Sequence, residues 1–219
     1  PGLRVVVAPR RIDAARVALE LGADLLLLDD GFSHHALARD ADVLVVDASA
    51  GHGNGRMLPA GPLREAESTG RGASLVWLSR CPDERAMPPA ALSERPLVRT
   101  RAVDVGFVDL ALRPAFGLEH VRGRRIVGFA GIARPSSFEA KLRELGANLR
   151  HFVPFPDHHR FTAADVERLS NELRRDGAEL LVTTEKDAVR LAPLVKPDFA
   201  VALRQDTEVL GDASLLDLF

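Results

Sequence analysis

Short aliphatic and β-branched runs alternate with segments of helical period along this chain, and several of the runs end in acidic side chains. That alternation constrains the fold most strongly, because strands separated by helices pair in parallel and are covered on both faces. The clearest run is Leu25-Leu26-Leu27-Leu28, whose unbroken apolar character reads as a strand buried on both sides, with Asp29 and Asp30 at its carboxyl end. Arg4 to Ala8, Val43 to Val46 with Asp47 at its exit, Ser74 to Leu78 and Leu97 to Val103 read as further strands. Arg125 to Phe129, Leu149 to Val153, Glu179 to Thr183 and Phe199 to Leu203 complete the set. Helical spacing marks Ile12 to Leu21 before the Gly22 stop, Ser136 to Leu145 before Gly146, and a short helix near Lys186 to Leu191. Another short helix is expected in the proline-rich stretch from Cys81 to Pro96. Thr162-Ala163-Ala164-Asp165 has the form of a capping box opening a helix that runs to about Arg175.

Between Phe107 and Glu119 the pattern changes to alternation, in Phe107, Val108, Leu110 and Leu112, interrupted by Pro114 and Gly117. This predicts an antiparallel ribbon. The expected organisation is a lobe over residues 1–103, a connector over 104–122 and a second lobe over 123–219, with a cleft between two small α/β lobes of mostly parallel sheet. A hydrophobic content of 46% in 219 residues supports a substantial core. No stretch approaches the roughly 18 consecutive apolar residues of a membrane-spanning helix. A net charge of −2, aromatic content of 5% and the lack of tyrosine argue against nucleic-acid binding. The single cysteine, Cys81, rules out an internal disulfide, fits a reducing compartment and reads as a small semi-buried residue.

Asp29 and Asp30 at a strand exit form the Walker B pattern, in which an aspartate holds the Mg²⁺ that bridges nucleotide phosphates. Gly31-Phe32-Ser33-His34-His35 adds a turn and two imidazoles at the same place, and such a concentration of titratable groups points to chemistry. The phosphate-cradling partner motif, glycine-rich and ending in Lys-Ser or Lys-Thr, does not occur: Lys141, Lys186 and Lys196 are followed by Leu142, Asp187 and Pro197. With Pro1 in place of an initiator methionine, the chain reads as the C-terminal part of a longer protein, or as a descendant that lost its nucleotide loop. The glycine- and proline-rich segment Gly51 to Glu65 reads as a loop after a strand exit, where open α/β sheets bind ligands. In it Arg64 can clamp phosphate oxygens bidentately, and Glu65 can orient that arginine or reach a metal; as a solvated pair the two would do neither. Pro154 to Phe161 presents Asp157-His158-His159 from a stiff loop, either as proton shuttle, metal ligand or carboxylate partner, or as a cap for the next helix. In Thr183-Thr184-Glu185-Lys186-Asp187 a threonine reads as a helix N-cap, with Glu185 and Asp187 suiting the first-turn dipole and Lys186 able to reach a cleft.

The segments Asp29 to His34, Gly53 to Arg56 with Gly61 to Glu65, Phe129 to Pro135, Phe155 to His158 and Thr184 to Ala188 occur in an order that resembles the tetraacyldisaccharide 4'-kinases of lipid A synthesis. The resemblance implies a P-loop NTPase-like fold and ATP-dependent phosphorylation of the 4'-hydroxyl of an acylated glucosamine disaccharide 1-phosphate. It implies a peripheral enzyme on the cytoplasmic face of the Gram-negative inner membrane. It also implies ATP and Mg²⁺ as cofactors, with Asp29 and Asp30 on the metal, Arg64 on phosphate, Glu65 orienting arginine or metal, and His34 beside the acidic tip. His158 is implied as the partner of an upstream aspartate that activates the sugar hydroxyl, with lobe closure assembling the site. Ser33 stands where the family usually has glutamine. The family's membrane-associating helix, P-loop and catalytic aspartate all precede the residues present, so this chain alone is expected to be inactive. Two other readings remain open. One is a metal-dependent phosphohydrolase built on Asp29, Asp30, His34, His35, Asp157, His158 and His159. The other is a non-catalytic α/β module binding a phosphorylated glycolipid or a protein.

Overall fold

The computed structural model describes residues 3–50 and 53–211. Its chain divides into two compact units, Pro1–Arg101 together with Glu208–Phe219, and Ala102–Thr207. The first contains helix α1 (Arg11–Glu20) and the parallel strands β1 (Val43–Asp47), β2 (Leu75–Ser79) and the start of β3 (Leu97–Asp109). Its core is small: Val46, Val76, Leu78, Cys81 and Leu92 are buried with Leu210. The Cys81 thiol sits 3.2 Å from the Leu78 carbonyl, and burial pushes its pKa up, which fits a structural role.

The expected strands over Arg4 to Ala8 and Leu25 to Leu28 are corrected by the structure, for neither joins a ladder among the described residues. Val5, Val7, Leu25 and Leu27 are 80%, 90%, 66% and 79% exposed, the opposite of burial on two faces. The reason lies in pairing: a strand ladder needs a neighbouring strand, and the described residues bring none to either run, so their exposed backbone groups are left to water.

The second unit is a three-layer α/β/α arrangement. Its strands lie in the order β3, β8 (Val201–Leu210), β7 (Leu180–Thr184), β5 (Arg125–Ala130), β6 (Asn148–Pro154), and β5 is parallel to both β6 and β7, as β7 is to β8. The alternation seen around Phe107 becomes the antiparallel pairing of β3 with β4 (Pro114–Phe116). Side chains of a strand point alternately to opposite faces, and the core follows that rule. Val127 and Phe129 of β5, Leu181 of β7 and Ala202 of β8 pack with Leu169 and Leu191 of helices α3 (Ala163–Arg175) and α4 (Glu185–Leu191). Ile126, Ala130, Val182, Val201 and Leu203 pack on the other face with Phe138 and Leu142 of α2 (Pro135–Glu144). Burying each of the Val, Leu, Ile and Phe side chains among them contributes roughly 1.5–3 kcal/mol, and each alanine less. Most predicted elements are present to within a few residues. The last strand is longer than the sequence pattern indicated, because polar residues from Arg204 to Glu208 continue it.

Helix α3 starts as its sequence predicted. The Thr162 hydroxyl accepts from the Asp165 amide, and the Asp165 carboxylate accepts from the Thr162 amide at 2.8 Å. Burial alone would raise the Asp165 pKa; hydrogen bonds from His159 and from the hydroxyl and amide of Thr162 outweigh it and hold the carboxyl below its ordinary value. Folding therefore favours the ionised form, and this contribution is complete above the ordinary carboxylate pKa and lost as pH falls through the lowered one. Asp165→Ala should cost about 1 kcal/mol near neutral pH, with the deficit shrinking below about pH 4, in urea melts at stepped pH.

Candidate active site

In the second unit three of the sequence motifs meet at the carboxyl ends of β5, β6 and β7, the edge where parallel sheets place ligands. The centre is Asp187, which is 0% exposed. Its Oδ2 accepts from the Gly131 amide at 2.9 Å and from the Thr184 hydroxyl at 2.8 Å, while Oδ1 accepts from Arg190 Nη1 at 3.1 Å. The same Nη1 donates to the Gly131 carbonyl at 3.2 Å, and that carbonyl also accepts from the His158 amide at 3.1 Å. Gly131 is closely surrounded: a Cβ there would lie 3.1 Å from the His159 Cβ, 3.2 Å from the Pro156 carbonyl and 3.3 Å from Asp187 Oδ1, tight enough that those neighbours would have to give by a few tenths of an ångström.

His158 has φ of 58° in the left-handed region, its amide donates to Asp157 Oδ1 at 2.9 Å, and its ring is 79% exposed. Arg190 Nη2 lies 2.9 Å from its Nδ1. His159 is different. It is stacked on Phe155 at 4.7 Å, meets Phe161 edge-on at 5.1 Å, and its Nε2 is 3.0 Å from Asp165. It is a packing residue tied to the α3 cap, and Thr162, rather than Asp157 or His158, caps that helix.

In the first unit the acidic tip is built by arginines. Arg11 of α1 donates to the carbonyls of Asp29 and Asp30, both at 3.2 Å, and Arg64 Nη1 donates to Asp30 Oδ2 at 2.9 Å. Asp30 has φ of 50°, and the Asp30 and Arg64 side chains are 70% and 73% exposed. Arg39 ties the following turn together, pairing with Asp42 at 2.6 Å and donating to the carbonyls of His34, Leu37 and Phe32. His34 is half-buried in that turn, and Ser33 and His35 are exposed. Gly51 and His52 lie outside the described residues. From Gly53 the loop folds on itself: Asn54 Nδ2 donates to the Ala60 carbonyl at 2.8 Å, the Leu58 amide donates to the Leu63 carbonyl at 2.8 Å and the Leu63 amide to the Arg56 carbonyl at 3.1 Å, bonds that close the loop just before Arg64. Gly61 sits so close to Asn54 and Arg56 that a Cβ would be 2.1 Å from the Asn54 Oδ1. Glu65, half-buried, follows Arg64.

Asp29, Asp30, His34, Arg64 and Glu65 thus belong to one unit and His158 to the other. Sequence reasoning missed Arg11, Arg190 and the burial of Asp187. The available signal was position: Asp187 and Arg190 are three residues apart on one helical face. A two-metal cluster using His158 and His159 is disfavoured by their commitments to Arg190 and Asp165. Among the described residues His151, Glu172 and Asp176 could surround a cation, but Arg175 already neutralises both carboxylates.

The sequence profile of the tetraacyldisaccharide-1-P 4'-kinases matches residues 1–218. The chain belongs to that family. Curated tetraacyldisaccharide 4'-kinases from Anaeromyxobacter dehalogenans (strain 2CP-C) and Pelobacter propionicus are 46% identical over 230 residues and 42% identical over 196 residues. These alignments cover 99% and 89% of this chain and 60% and 54% of the relatives, so the chain spans little more than half of their length. A crystal structure of the Aquifex aeolicus enzyme, described as an "apo" form in complex with ATP, superposes with a TM-score of 0.72 at 25% identity, covering 95% of this chain and 61% of that one. The α/β, P-loop NTPase-like class expected from sequence is therefore this 4'-kinase family's fold.

Two stability measurements test this geometry. Asp187→Ala leaves the Gly131 amide and the Arg190 guanidinium without their buried acceptor and should cost about 3 kcal/mol or more in urea melts. His158→Gly should be more stable than His158→Ala by about 1 kcal/mol, because only the former relieves the left-handed backbone.

Proposed function

We propose that the protein transfers the terminal phosphate of ATP to the 4'-hydroxyl of a tetraacyldisaccharide 1-phosphate. One observation carries this reading: Asp30 and His158, the side chains the resemblance puts nearest the chemistry, are each exposed, at positive φ, and oriented by an arginine. Groups kept in strained, solvent-facing positions by a surrounding network are characteristic of sites selected for chemistry.

Phosphoryl transfer depends mainly on positioning and charge neutralisation. Asp29 and the oxygen of Asp30 not engaged by Arg64 offer hard oxygen donors of the kind Mg²⁺ takes and would be the residues to hold it. With Mg²⁺ bound, these residues would supply charge neutralisation for nucleotide phosphates. Arg64 clamps phosphate, its guanidinium moving between Asp30 and the ligand, and Glu65 orients it. His34 contacts phosphate or supports the acidic tip. His158 pairs with an aspartate supplied by the rest of the protein and helps it hold the sugar hydroxyl. Four acyl chains on the substrate call for work at a membrane surface, which we assign to the cytoplasmic face of the Gram-negative inner membrane. No helix among the described residues is long and apolar enough to cross a membrane, which suits peripheral attachment.

Exposure separates function from stability here. A pair as solvated as Asp30 and Arg64 contributes at most about 1 kcal/mol. Alanine at Asp30, Arg64 or His158 in the full-length protein should therefore leave the fold intact yet lower 4'-kinase turnover at least about tenfold, and wild-type turnover would refute the assignment. The 219-residue chain should bind Mg-ATP poorly beside the full-length protein, since none of its lysines sits in a phosphate loop; equal affinity by calorimetry would contradict this.

A further inference from the structure

We propose that Arg190, anchored on the buried carboxylate of Asp187, positions His158 and fixes its imidazole as the neutral Nε2–H tautomer, so that His158 acts in phosphoryl transfer as a donor through Nε2. This rests on the participation of His158 proposed above.

Arginine has five N–H donors, no acceptor, and keeps its charge. With Nη2 2.9 Å from the His158 Nδ1, that nitrogen must accept, and a neutral ring then carries its proton on Nε2. The guanidinium is not free to swing. Its Nη1 is shared between Asp187 Oδ1 at 3.1 Å and the Gly131 carbonyl at 3.2 Å, which leaves Nη2 aimed at the ring. Asp187 is in turn held by the Gly131 amide and the Thr184 hydroxyl and is wholly buried, so the chain of contacts starts from a rigid point.

The other groups near the ring do not replace Arg190. Asp157 Oδ2 is 3.8 Å from Nε2, beyond a hydrogen bond. His159, Arg160 and Phe161 share with His158 and Arg190 a cavity of about 320 Å³, but His159 is turned to Asp165. The ring itself is 79% exposed, so packing does not hold its orientation. Position and tautomer both come from one arginine. The result is an Nε2–H with no hydrogen-bond acceptor in reach among the described residues, Asp157 Oδ2 standing off at 3.8 Å, so that it is suited to an acidic acceptor such as a carboxylate or a phosphate oxygen and unsuited to removing a proton through that nitrogen.

The test uses the full-length protein with ¹⁵N-labelled histidine rings. Long-range proton–nitrogen spectra of wild type should show His158 Nδ1 bare and Nε2 protonated, and Arg190→Met should give a mixture of tautomers. Turnover of Arg190→Met should fall about tenfold or more with the KM for ATP little changed, as expected of a lost orienting contact. Arg190→Lys, which keeps the charge beside Asp187 and guards against simple loss of folding, should fall between the two. The double variant Arg190→Met with His158→Ala should be no slower than His158→Ala alone, because the arginine acts through the histidine. An unchanged tautomer in Arg190→Met, or losses that multiply in the double variant, would overturn the proposal. Wild-type turnover in His158→Ala would instead overturn the role of His158 in the reaction, a failure that the ring spectra distinguish from that of the arginine contact.

Discussion

A carboxylate taken wholly out of solvent is tolerable only when its oxygens are fully engaged, and Asp187 meets that condition with a backbone amide, a hydroxyl and a guanidinium. Each of those donors comes from a different place: the end of β5, the N-cap of α4 and the last turn of the same helix. One side chain thereby fixes the spacing of two strand ends, and through the Gly131 carbonyl it fixes the His158 loop that follows β6. The left-handed backbone at His158 persists because this network over-determines it.

The first unit solves a comparable problem with exposed charge. Arg11, Arg39 and Arg64 gather backbone carbonyls and carboxylates around the Asp29-Asp30 tip, using the planar, many-donor guanidinium to tie loops that have little core beneath them. Little stability comes from the solvated Asp30–Arg64 pair, whereas the Arg39–Asp42 pair is largely shielded from solvent. What they give is geometry: Arg64, at the exit of a stapled glycine-rich loop, is delivered to Asp30 from 34 residues away.

Local features were the legible ones. The capping box at Thr162 is written in four consecutive residues, and the alternating runs of the second unit each found partners, so period alone located β5, β6 and β7. Leu25 to Leu28 failed for the complementary reason. Its pattern specifies burial on two faces but cannot supply the neighbours that burial requires, and Leu25 and Leu27 stay exposed. Asp187 read as a first-turn acid suited to the helix dipole. Its decisive partner, Gly131, is 56 residues away, and no spacing rule reaches that far. Arg190 was hidden likewise, since a basic residue near a helix end is ordinary until its partners are seen.

The account turns on whether one buried carboxylate organises the loops that carry the candidate chemistry, and amide hydrogen exchange with Asp187→Asn reads this directly. Asparagine keeps the size but offers one acceptor and two donors, so one orientation or the other sets an N–H against the Gly131 amide or the Arg190 guanidinium. In wild type the amides of Gly131 and His158 should be strongly protected. In the variant both should lose protection while Val127 and Phe129 within β5 keep theirs. Retained protection at Gly131 and His158 would contradict the claim.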